Sequence, residues 1–113
     1  MKQKPFRSMK GSEIMEWVRD SLLDEAARKK SFIEDCERVA GGVTPPEDRQ
    51  RAQALEVAGD MLTYVIAFGQ EERARCEKDP KRVFPDWIWR LSNQMRSNLI
   101  EETADPEVDQ PTG

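Results

Sequence analysis

A chain of 113 residues, 37% apolar and 35% charged, has room for one hydrophobic core and enough apolar content to fold it. Its net charge of −4 runs against general nucleic-acid binding and falls short of the dense acidic surface of a nucleic-acid mimic. No stretch reaches the roughly 20 apolar residues of a membrane-spanning helix, and the start, Met1-Lys2-Gln3-Lys4-Pro5-Phe6-Arg7, lacks the apolar block of a secretory signal. A cytoplasmic protein with no membrane partner is the expectation.

Residues 1–11 carry Lys2, Lys4, Arg7 and Lys10 and read as a basic, flexible N-terminus. Ser12 is a good N-cap, with Glu13 and Glu16 placed for the first turn, and Gly41-Gly42 is a stop, so the spacing predicts a long helix over about 12–40. Its stripe is Ile14, Val18, Leu22, Ala26, Ile33, Cys36 and Ala40. Asp24 and Arg28, Glu25 and Lys29, and Glu34 and Arg38 add acid-before-base pairs four residues apart. Lys29 falls inside the stripe, where its stem snorkels outward or its head pairs with Glu25.

Thr44-Pro45-Pro46-Glu47 has the form of a helix start, with Thr44 as cap, Pro45 first in the helix and Glu47 closing a capping box. The second helix runs from there to about Lys78, before Asp79-Pro80, with a stripe of Leu55, Ala58, Leu62, Val65, Ile66 and Gly69. A third helix follows Pro85, has Asp86 as cap or first-turn acid, and reaches about Thr103, with Trp87, Ile88, Leu91, Met95 and Leu99 on one face. Residues 104–113, following Glu101 and Glu102 and holding Asp105, Glu107 and Asp109, read as an acidic, flexible C-terminus. Period-two β-branched runs are absent, so no strand competes.

These elements predict an all-α fold: an antiparallel three-helix arrangement over 12–103, built as a long helical hairpin plus a third helix. On a projection of about 100 degrees per residue, Val57, Met61, Tyr64 and Phe68 widen the second helix's apolar arc beyond what two neighbours cover. The excess points to a second copy of the chain, giving a homodimer.

Chemistry is constrained first by the absence of histidine, which removes the commonest general base at neutral pH and most zinc sites. Gly41-Gly42 lacks the strand and the Lys-Ser/Thr of a phosphate loop. Cys36 lies near the hairpin's closing loop and Cys76 at the far end of its helix, so the two should not bridge within one chain, and free buried thiols are the favoured reading, with a bond between two chains as the alternative.

Glu56-Val57-Ala58-Gly59-Asp60-Met61-Leu62 resembles the acid-plus-apolar pattern of magnesium-dependent all-α nucleotide pyrophosphohydrolases, with Asp20, Asp24 and Glu25 as opposing oxygen ligands. On the projection, however, Asp20, Asp24, Glu56 and Asp60 point toward water, and a solvated charged face is the preferred reading. Arg28-Lys29-Lys30 and Lys81-Arg82 raise a nucleic-acid-binding accessory role as a further alternative, but they are interleaved with acids.

The third helix supplies the clearest surface feature. With Trp87 assigned to the core face, Trp89 points outward in a column with Asn93, Arg96 and Ile100, and Trp and Arg are the side chains that most often anchor interfaces. The expected function is a non-enzymatic protein–protein interaction module, a small regulator or inhibitor of a protein partner, working without catalytic residues, metal or cofactor.

Overall fold

The computed structural model describes residues 4–103; the acidic segment 104–113 and Lys2 lie outside the described residues. Those residues form one 3-10 turn, Phe6–Ser8, and three helices: α1, Gly11–Ala40; α2, Pro46–Lys78; and α3, Asp86–Thr103. No strand occurs among them. The three helices fall within a residue or two of the sequence expectation, because Gly and Pro punctuate the chain at each boundary. Gly41 follows α1 at φ 67°, the left-handed conformation in which only glycine avoids a Cβ clash.

Two helix starts differ from expectation. At α1 the N-cap is Lys10, whose carbonyl accepts from Ile14 N–H at 3.0 Å, while Glu13 reaches back to accept the Lys10 N–H at 2.7 Å. This is the return half of a capping box, with Glu13 rather than Ser12 satisfying the free donor. Met9 and Ile14, both buried, occupy the two positions of a hydrophobic staple and set the angle at which the chain enters the helix. At α2 the first helical residue is Pro46, not Pro45. Thr44 donates its N–H and its hydroxyl to Glu37, which also accepts from Arg49, so the loop is pinned to the end of α1 instead of capping α2 through Thr44.

The chain divides into two compact units, Trp17–Tyr64 and a terminal unit made of residues up to Glu16 together with those from Val65 onward.

Trp17–Tyr64 is an antiparallel hairpin in which α1 and α2 pack closely. Ala26 and Ile33 are buried from α1, and Ala52, Gly59 and Leu62 from α2, at the three- and four-residue spacing of a helix seam. Gly59 is what brings the backbones together, since a Cβ there would lie 2.6 Å from Leu23 Cδ2. Polar residues finish the seam toward the loop: Lys30 pairs with Glu56, and Glu37 with Arg49. This corrects the expected stripe. Lys30 and Glu37, not Lys29 and Cys36, follow the seam, leaving Cys36 exposed and Lys29 outside it, 3.7 Å from Glu25.

In the terminal unit Met15, Ile66 and Ile88 form a buried cluster, with Val65, Phe84, Leu91 and Met95 packed around it. The expectation of a loose N-terminus over 1–11 does not fit residues 5–10. Phe6 and Met9 are buried, and Arg96 donates to their carbonyl oxygens at 3.2 and 2.6 Å. Apolar side chains three residues apart on a 3-10 turn share a side, so they dock together once α3 supplies donors for the turn's carbonyls.

Candidate interaction surfaces

In the hairpin unit, Val57, Met61 and Tyr64 lie along α2 on the side roughly opposite its buried seam. They are 46%, 62% and 77% exposed. The spacing of four and three residues is that of a coiled-coil seam, and nothing within the hairpin covers it. Ordinary surfaces scatter single apolar residues; three in register form a line that a partner helix can bury.

The terminal unit holds the aromatic candidates. Phe68 stacks on Trp87, with ring centroids 5.9 Å apart and planes inclined by 20°, and the pair stands at the surface. Trp87 is 47% exposed and Trp89 48%. The assignment of Trp87 to the core face is therefore corrected. The buried centre of α3 is Ile88 and Ser92, which puts Trp87 and Trp89 on opposite flanks, neither fully in the core nor fully outside it. Trp89 sits edge-on to Phe84 at 6.4 Å.

The outer column also separates. Asn93 is exposed and Ile100 half-buried, while Arg96 turns inward to the carbonyls of Phe6 and Met9 and to Asn93 Oδ1 at 2.8 Å. Sequence reasoning saw Arg96 as an anchor for another protein; two of its N–H groups hold this chain's own N-terminal turn and a third holds Asn93. The missed signal was the pair Phe6 and Met9, two apolar residues set among bases.

A second fastening was also missed. Glu72, its side chain only 5% exposed, accepts a bidentate pair from Arg82, at 3.0 and 3.0 Å, and a further bond from Arg75 at 2.7 Å. Arg82 belongs to the connection between α2 and α3, so this carboxylate ties that connection to α2. Its trace in the sequence was an acid at stripe spacing, three residues after Gly69.

Three carboxyls are held below the ordinary carboxylate value: Glu13 chiefly by the Lys10 N–H, Glu37 chiefly by Arg49, and Glu72 chiefly by Arg82. A carboxyl whose folded pKa lies below its unfolded one adds stability above the unfolded value and loses it as pH falls through the folded value. The melting temperature should hence be nearly level above about pH 6 and fall below about pH 4.5. Glu72→Gln should lower the melt at neutral pH and make the acid slope shallower. Calorimetry from pH 3 to 8, on the order of one unit apart, checks this; an unchanged slope in Glu72→Gln would show that the clamp does not drive it.

Two grooves complete the surface. At the closed end of the hairpin a groove of about 570 Å³ has Phe32, Ile33, Cys36 and Val43 in its wall, with Arg28, Lys29, Glu37 and Asp48 mixed around it. In the terminal unit a cleft of about 540 Å³ is lined by Phe84, Ile88 and Trp89 beside the start of α1.

The acids considered for a metal site do not converge. Asp20 pairs with Arg19, Asp24 and Glu25 with Arg28, and Glu56 with Lys30, and no group of three potential ligands forms among the described residues. Cys36 is free and exposed, and Cys76 is free and half-buried, which corrects the expectation that both thiols are buried. No described helix is long and apolar enough to cross a membrane. No protein-family model, curated protein or solved structure matches the chain.

Proposed function

We propose that the chain is a non-enzymatic protein–protein interaction module, a small regulator or inhibitor that occupies a partner's surface, and that it forms a homodimer through α2. The observation that carries this is the exposed line of Val57, Met61 and Tyr64 on the helix side away from its own seam. Covering the exposed part of these side chains, at roughly 25 cal/mol per Å² of apolar surface, offsets part of the entropy of association. Phe68, stacked on Trp87, forms a separate exposed apolar pair of the terminal unit. Trp89, Asn93 and Ile100 are the residues proposed to face a different protein, with Arg96 positioning the segment beside them. The non-catalytic reading draws further support from the lack of histidine and from the pairing of the acids with neighbouring bases.

Sedimentation equilibrium at micromolar concentration tests the dimer. The native chain should show a concentration-dependent mass between monomer and dimer. Met61→Glu combined with Tyr64→Glu should weaken association by about thirtyfold or more while leaving the helical circular dichroism intact, as expected of central interface anchors. A native chain that sediments as a monomer throughout would defeat the proposal.

A further inference from the structure

The cleft of the terminal unit has a charge pattern that the groove at the hairpin's closed end lacks. Three bases line it, Lys10, Arg73 and Arg96, and no carboxylate does, although the chain as a whole is acidic. None of the three is within ion-pair distance of a carboxylate among the described residues, although Glu13 is near enough to Lys10 to feel its charge, whereas Arg28, Lys30, Arg75 and Arg82 are paired. Arg73 lies over the Phe84 ring, 5.7 Å from its centroid, which leaves its charge at the mouth. Arg96 uses three of its five N–H donors on Phe6, Met9 and Asn93, leaving two. The floor between these charges is apolar, formed by Ile88, Phe84 and the flank of Trp89. Gly11 and Ser12 at the start of α1 close one side.

We infer that this cleft is a docking site for an acidic peptide segment of a partner protein, one in which an apolar side chain is flanked by carboxylates. The apolar side chain fills the floor against Trp89, and the flanking carboxylates reach Lys10, Arg73 and the free donors of Arg96. Three separate cations around one apolar floor match several carboxylates in sequence better than a ligand with a single negative charge. The groove at the hairpin's closed end does not share this pattern: of its bases, Arg28 and Lys29 are paired with Asp24 and Glu25, and Arg51 shares the wall with the carboxylates of Glu37 and Asp48. The inference rests on reading the chain as a protein-binding module, but not on the α2 line.

The test is titration of the full chain with an acetylated, amidated pentapeptide of leucine flanked on each side by two glutamates, beside its glutamine counterpart. Calorimetry gives affinity and amide shifts give the place. The acidic peptide should bind at least about tenfold more tightly at low salt, with the difference shrinking as salt screens the rim. Shifts should centre on Trp89 and Ser92. Lys10→Gln with Arg73→Gln should remove the preference, and Gln70→Glu, which sets a carboxylate on the rim, should weaken the acidic peptide without disturbing the fold. Equal affinity for the two peptides, no binding of the acidic one, shifts centred on Phe32 and Val43, or an unaltered preference in both variants would each overturn the inference. Sedimentation of the same sample separates these failures from failure of the dimer proposal, since Val57, Met61 and Tyr64 are not among the residues that line the cleft.

Discussion

Gly59→Leu is expected to lower the stability of the protein by about 3 kcal/mol or more. A Cβ at position 59 already falls 2.6 Å from Leu23 Cδ2, 2.7 Å from Leu23 Cγ and 3.5 Å from the Arg19 carbonyl oxygen. The first two atoms both belong to Leu23, which must give up its rotamer and its place beside the seam, and a branched side chain then also presses on the Arg19 backbone. Better helix propensity returns only about 1 kcal/mol. Gly69 provides the contrast. A Cβ there would meet Ile88 at 3.8 Å, ordinary contact, so Gly69→Ala should stabilise by about 0.5–1 kcal/mol through the same propensity without the clash. Urea unfolding of both variants decides the matter, read as a shift in midpoint at unchanged slope. If Gly59→Ala stabilised as much as Gly69→Ala, the close approach at Gly59 would be wrong.

Ile14→Ala should cost about 3–4 kcal/mol, within the range for emptying a fully enclosed aliphatic site. Ile14 is 0% exposed and stands at the staple position opposite Met9, whose carbonyl Arg96 holds. Losing Ile14 therefore leaves a cavity and also loosens the turn from Phe6 to Met9. Trp87→Ala should cost less, about 1–2 kcal/mol, because half of that indole is already in water and its main contact is the stack on Phe68. Thermal unfolding of the two variants side by side orders them. A larger loss for Trp87→Ala would restore Trp87 to the core and shift the phase assigned to α3.

Helix boundaries were readable in the sequence because they depend on neighbours in the chain. Gly41 can take the left-handed conformation, Pro46 suits a first helical turn and Asp79-Pro80 cannot continue one, whatever packs nearby. The exposed line of Val57, Met61 and Tyr64 was legible for a related reason: those residues were already surplus to the arc that two neighbours cover. The association they imply was legible only as an expectation, since a second copy is not part of the folded chain.

Tertiary structure decided what projection along a single helix left open. A wheel places Trp87 and Trp89 on different sides but cannot say which direction is inward, and the chain centred α3 on Ile88 and Ser92 instead of either indole. It likewise made Arg96 a clasp for Phe6 and Met9, 90 and 87 residues away in sequence, and Glu72 a clasp for Arg82. Charged side chains are long, and each has several possible partners of nearly equal local merit. Which one it takes depends on how much water the fold removes around it, and that is settled only when distant segments meet. Neighbours along the chain set where the helices begin and end, and which residues exceeded their own packing needs; folding alone set which charges were spent internally and which three were left around an apolar cleft.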